Sequence, residues 1–174
     1  MSTPASPTDP VPKPPNPASR ILLIVFGVVG LVVCIGSIPV VGILAAIAIP
    51  NFVAMQLKAK RAEVPANVNG LATAQLAYDA AFDTFVPASS REEAEAELRA
   101  GGQEPRMWKG GGAWGTIGWQ PDGPVRGAYW VEVDSEEGDF TAHGLCDVDG
   151  DGDFAEYVAT SESRARMVTP EYVY

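Results

Sequence analysis

Four aspartates fall at every second position of the stretch CDVDGDGDFAEY: Asp147, Asp149, Asp151 and Asp153, with Glu156 beyond them. Alternating carboxylates on a glycine-rich turn can converge on one hard cation, and Ca²⁺ takes about six to eight oxygens at about 2.3–2.6 Å. The opening, Asp147-x-Asp149-x-Asp151-Gly152, matches the first half of an EF-hand-type loop. The second half does not match. Val158 stands where the bidentate glutamate belongs, no helix is evident on either side, and Glu156 substitutes only with a different loop geometry. Two readings stay open. One is a calcium site drawn from Asp147, Asp149, Asp151, Asp153 and Glu156. The other is a solvated turn between two strands, with Gly150 and Gly152 supplying positive φ.

Little else in the chain suggests catalysis. The single histidine, His143, falls in a predicted strand with no sequence-adjacent nucleophile, so it reads as structural. Glu136 and Glu137 sit on a turn and read as surface. Trp108, Trp114, Trp119 and Trp130 are expected to build the core of a small domain rather than line a ligand groove. Gly110-Gly111-Gly112 is followed by no Lys-Ser/Thr pair, which leaves a turn and not a phosphate loop. The chain is therefore expected not to be an enzyme; the remaining catalytic alternative is a membrane-bound hydrolase using His143 or the acidic loop.

Charge narrows the partners. The formal net charge is −10, and from Ala62 onward seven basic side chains face 21 acidic ones. Nucleic-acid binding needs a basic patch and is disfavoured. The two cysteines, Cys34 and Cys146, are placed too far apart in the expected layout for an intrachain disulfide.

The elements that must position the acidic loop follow from hydropathy and period. Residues 1–20 carry seven of the 15 prolines and read as an extended tail, cytoplasmic in the orientation chosen below. Residues 21–50 hold no charge at all. As helix they extend about 45 Å, more than the ~30 Å hydrocarbon core requires, so this is a transmembrane anchor. A signal peptide would have a shorter apolar region, and LVVC at 31–34 is a poor lipoprotein site because Val33 is large. Pro39 and Pro50 are expected to kink one bent span.

Residues 51–85 continue as an amphipathic helix. Val64, Val68, Leu71, Gln75, Tyr78 and Phe82 form its stripe, and a break near 65–70 is expected from Pro65 and Gly70. Residues 86–174 form the head. Ser90 and Glu93 suggest a capping box for a short helix ending at Gly101-Gly102. Predicted strands follow at Ala113–Trp119, Val125–Val133, Phe140–Cys146 and Phe154–Thr160, with Val168–Tyr174 as a further edge strand. The fold class is α+β: a long N-terminal membrane-spanning helix packed on an antiparallel meander of about four strands.

The stretch GILAAIAIPNF, with Lys58, Lys60 and Arg61 after it, resembles the N-terminal helix of type IV pilins and of the pseudopilins of type II secretion. The resemblance is specific over Val40–Arg61 and extends in outline to Phe85. Its processing site is degenerate: counted back from Pro50, the family's glycine, aromatic residue and glutamate fall on Val28, Val29 and Val33. That glutamate is a buried carboxylate with which subunits dock, and its loss leaves the resemblance supporting anchor and fold more than polymerisation.

The resemblance implies a single-pass inner-membrane protein of a Gram-negative bacterium, N-terminus inside and head in the periplasm, or extracellular if assembled into a filament. Positive charge alone is nearly balanced across the anchor and does not set this orientation. The implied partners are the membrane and other pilin-like subunits or components of a pilus or secretion assembly. Calcium near the C-terminal sheet is familiar in major pseudopilins, which favours the metal reading. Small residues at Gly42, Ala45, Ala46 and Ala48, with Pro50, allow close helix packing in the membrane. The alternative is a membrane-tethered, Ca²⁺-dependent binding module that does not polymerise.

Overall fold

The computed structural model describes residues 16–101 and 103–174. The proline-rich tail expected over residues 1–20 thus lies outside the described residues as far as Pro15. Its last four residues are already helical, because α1 spans Pro17–Arg61. The chain divides into two compact units at Pro50.

In the first unit, α1 runs helical through Pro39 and Pro50. Every large apolar side chain from Ile21 to Ile49 is exposed to its surroundings. The helix is long and apolar enough to cross a membrane. Near Pro39, the Ser37 hydroxyl donates to the Cys34 carbonyl at 2.9 Å, a side-chain bond of the kind that accompanies irregularities in apolar helices.

In the second unit, α1 ends at Arg61 and α2 takes up Glu63–Phe82. The expected break near 65–70 falls instead at Ala62. Pro65 has no N–H for the Arg61 carbonyl, and its ring crowds that carbonyl, so the disturbance lands four residues upstream. In the first turn of α2, where N–H groups lack helical partners anyway, the same proline is accommodated. Gly70 does not break the helix. A Cβ there would stand 3.3 Å from the Trp119 indole nitrogen, so the position is set by packing.

Four strands form an antiparallel sheet in the order β1-β2-β3-β4: β1 Ala128–Asp134, β2 Asp139–Cys146, β3 Ala155–Thr160 and β4 Arg166–Met167. Against one face lies α2 with Val64, Val68, Leu71 and Gln75 fully buried, while Phe82 at its far end is exposed. These meet Tyr129, Val131, Phe140, Ala142, Tyr157 and Ala159 from the strands. On the other face α3 (Arg91–Gly101) buries Ala94 and Leu98 against Ala128, Trp130 and Leu145. Ser90 caps α3 by accepting the Glu93 N–H at 3.2 Å, but the Glu93 carboxylate takes the Ser89 hydroxyl, so the capping box closes one residue early.

Gln75 is wholly buried yet satisfied at both ends. Its Nε2 donates to the Val86 carbonyl at 2.6 Å, and its Oε1 accepts the Val86 N–H at 3.0 Å. The loop after α2 is thereby held as though by a neighbouring strand. Gln75→Leu leaves both Val86 groups without these partners and is expected to destabilise the protein by about 1–3 kcal/mol, read from the urea midpoint.

Two strand expectations are corrected. Residues 113–119 are not a strand. Ala113–Thr116 is a single helical turn, α4, entered through Gly111 and Gly112 at positive φ and left through Gly118 at φ 67°. Three left-handed glycines cannot continue a pleat, and clustering of the tryptophans decides the path instead. The last strand is Arg166–Met167 rather than Val168–Tyr174. Beyond Val168, whose N–H still reaches the Glu156 carbonyl, Pro170 turns the chain away.

Candidate metal centre

The last ladder pair between β2 and β3, Cys146 with Ala155, fixes the ends of the loop 147–154. Val148 turns inward and is buried in the core, and its N–H donates to the Tyr174 carbonyl at 3.1 Å. With Val148 anchored, Asp147 and Asp149 project from the same turn. Asp147 organises it: one carboxylate oxygen accepts the Gly150 N–H at 2.6 Å and the other the Gly152 N–H at 3.1 Å. Gly150 and Gly152 have φ of 77° and 91°, which a glycine adopts without strain. Gln103 braces the loop from outside by donating to the Asp149 carbonyl at 2.8 Å.

Asp147, Asp149 and Asp151 each offer an oxygen lying within 4.8 Å of the others. One Asp149 carboxylate oxygen is buried without a hydrogen-bond partner. Burial above all, and then the neighbouring Asp151 and Asp147 carboxylates, hold the Asp149 carboxyl above its ordinary pKa. Three carboxylate oxygens this close together could hold a metal ion. These three residues would hold it, leaving further positions for water or backbone oxygens.

The other two expected ligands stand apart. Asp153 is not in the convergent group, and its N–H donates back to Asp151 at 2.8 Å. Glu156 is already on β3 and points to the α3 side of the sheet. There its carboxylate takes Arg91 at 3.1 Å through one oxygen and His143 Nδ1 at 3.1 Å through the other. A carboxylate engaged in this way across the sheet does not serve the loop.

That second cluster holds His143 in place. Its ring stacks on Trp130 at 4.3 Å and 8°, Arg91 lies over the Trp130 ring at 5.7 Å, and the Trp130 indole donates to Glu132 at 2.9 Å. The network ties α3 to β1, β2 and β3. Removing its centre by Glu156→Ala leaves the half-buried His143 Nδ1 without its partner, while Arg91 keeps Glu95, and is expected to cost about 1–3 kcal/mol, measurable as a lowered urea midpoint. The partner set depends on which residues face each other across the sheet, here Trp130 with His143, and no local motif announces it.

The small residues of the anchor lie on α1, where Gly42 has open space around it and Ala46, Ala48 and Pro50 are exposed, with Ala45 half-buried. The basic cluster is reduced by one. Lys58 and Lys60 are exposed, but Arg61 is buried, donating to the Glu171 and Val173 carbonyls and lying 4.9 Å over the Tyr174 ring.

Cys146 is buried, and burial pushes its thiol up to about 12. Thiolate is the reactive form, so alkylation of the folded protein at pH 8 by iodoacetamide is expected to spare Cys146, with modification appearing only on unfolding and read by peptide mass. Compared with protein-family models, with curated proteins and with solved structures, the chain matches none.

Proposed function

We propose that this chain is a pilin-like structural or interaction protein. Its apolar helix spans the inner membrane once, N-terminus in the cytoplasm, and its head occupies the periplasm as a subunit or accessory of a type IV pilus or type II secretion assembly. The observation that carries the reading is GILAAIAIPNF lying on one long helix whose successor, α2, covers a four-stranded antiparallel sheet. No catalytic role is assigned. The deciding experiment is the intact mass of the protein from its native membrane. Loss of about the first 28 residues makes it a processed subunit, and recovery in sheared surface filaments completes the case. A full-length mass with no filament fraction removes the polymerising role and leaves a tethered accessory. Recovery in the soluble fraction after carbonate washing overturns the anchor itself.

A second reading is favoured by the convergence of Asp147, Asp149 and Asp151: a tethered module whose head binds its partner only when Ca²⁺ occupies the loop. Capture of a partner from the cell envelope that is abolished by a chelator supports it; capture indifferent to the chelator removes it.

A further inference from the structure

We infer that the open end of the β1 edge, at Val133, is a docking site for an extended peptide segment carrying lysine or arginine. Farther along, this edge is closed by the loop after α2: the Ala88 N–H donates to the Val131 carbonyl at 3.2 Å, and the Val131 N–H to the Ala88 carbonyl at 2.8 Å. Backbone groups alternate sides along an antiparallel strand, so those of Val133 face the same edge. A continued ladder would set Val86 opposite Val133. Val86 is not free to serve, because Gln75 takes both its N–H and its carbonyl. Among the described residues, the Val133 N–H and carbonyl have no partner on this edge. Such a pair is the template to which another extended chain adds, main chain to main chain.

The space beside Val133 suits such a chain. A cleft of about 500 Å³ opens there, bounded by Asp79 and Asp83 from the end of α2, Phe85 and Pro87 from the loop, and Val133 and Asp134 from β1. Its charge has one sign. No lysine or arginine occurs between Arg61 and Arg91 or between Arg126 and Arg164, the two stretches that build the cleft. Asp79, Asp83 and Asp134 enter no ion pair among the described residues, and the one histidine pairs with Glu156 toward α3. α2 also ends here without a basic residue in its last turn, so its carbonyl end adds partial negative charge. A small cation answers the carboxylates and leaves Val133 as it is. A neutral strand answers Val133 and leaves the carboxylates, and an acidic one is repelled. An extended segment with a lysine or arginine answers both.

The test uses the full-length protein in a zwitterionic detergent. Two probes carry the same charge: tetralysine blocked at both ends, and spermine, which has no peptide backbone. Saturating tetralysine is expected to slow hydrogen exchange of the Val133 amide, followed by NMR, roughly five-fold, the worth of one hydrogen bond. The Val131 amide, already bonded to Ala88, keeps its rate. Spermine is expected to leave both rates unchanged. Asp83→Asn combined with Asp134→Asn is expected to weaken tetralysine binding roughly ten-fold with little change in the melt. Asparagine tolerates the left-handed backbone of Asp83 and still accepts the two turn N–H groups that Asp134 takes. Glu104→Gln, which removes a carboxylate beside the acidic loop and not the cleft, is the control and is expected to leave the affinity nearly unchanged. An unchanged Val133 rate at every tetralysine concentration overturns the inference, as does equal slowing by spermine or equal weakening by Glu104→Gln. Slowing that grows with protein concentration in the absence of peptide assigns the edge to a second copy and overturns it too.

Discussion

Gly144→Val is expected to destabilise the head by about 3 kcal/mol, lowering its melting temperature by roughly 10 °C. Gly144 lies in the middle of β2, directly beneath α2. A Cβ at this position would stand 2.6 Å from a Val68 methyl, 2.7 Å from a Val64 methyl and 3.1 Å from the Tyr129 ring. All three side chains are fully or almost fully buried, so none can swing aside. The helix must therefore lift from the sheet or the strand must bow. Close packing makes either costly, because every contact along α2 loosens together. Gly115→Ala provides the contrast. Nothing lies within 4 Å of the added methyl there, and the backbone is helical, so the change is expected to be neutral or to stabilise by up to about 1 kcal/mol. Urea melts of the two variants should move in opposite directions or differ by several kcal/mol; equal midpoints would mean that α2 does not bear on the sheet at Gly144.

The second large effect belongs to Asp149. In a metal-free protein its carboxyl, held above its ordinary pKa chiefly by burial, binds its proton more tightly folded than unfolded. The stability associated with that proton is present below the ordinary carboxylate range and is lost as pH rises through Asp149's raised value. Asp149→Asn removes the titration. At pH 7 with a chelator present, the variant should therefore be more stable than the parent. If the proposed site takes calcium, the ion is expected to reverse the order. For a site of about 10⁻⁴ M affinity, Ca²⁺ at a hundred-fold excess stabilises the parent by about 2.7 kcal/mol, whereas the variant, short of one carboxylate, gains far less. Melting curves of both proteins, with chelator and with 10 mM Ca²⁺ (about a hundred times that affinity), give the four required numbers. A parent protein indifferent to calcium would sink the metal centre and leave the loop a solvated turn.

The residues behind these expectations were legible in the sequence to different degrees. The stripe from Val64 to Gln75 was visible because three-four spacing survives whatever the helix packs against. The strand-rich stretches ending at Cys146 and Thr160 were visible because acidic, glycine-rich turns bound them. The tryptophan segment misled because Trp, Ile and Thr favour strands in isolation. There, three glycines at positive φ and the mutual packing of Trp108, Trp114 and Trp119 outweigh that preference. Glu156 misled for another reason. Counting along the chain places it near the aspartates, but the pleat turns it to the opposite face from the core, toward Arg91, which is 65 residues away. Only the pairing of strands shows such distances collapsing. Pro65 signals a disturbance in the sequence, but a proline acts on the carbonyl four residues before it, so the break lies at Ala62 and not within 65–70.

Arg61 joins the last turn of α1 to the backbone of residues 171–173, and Tyr174 in turn accepts the N–H of Val148 at the root of the acidic loop. Tension drawn along α1 therefore reaches the head at Arg61 as a branched load, carried partly by α2 and partly by the C-terminal segment. The second branch loads carbonyl groups on a strap that is itself moored to the sheet's far turn. A pull at this point has to shear several bonds at once, where a single helix hinged at Ala62 would peel from the sheet one contact at a time. In mechanical terms, Arg61 is the bolt that fastens the last turn of α1 to the C-terminal segment.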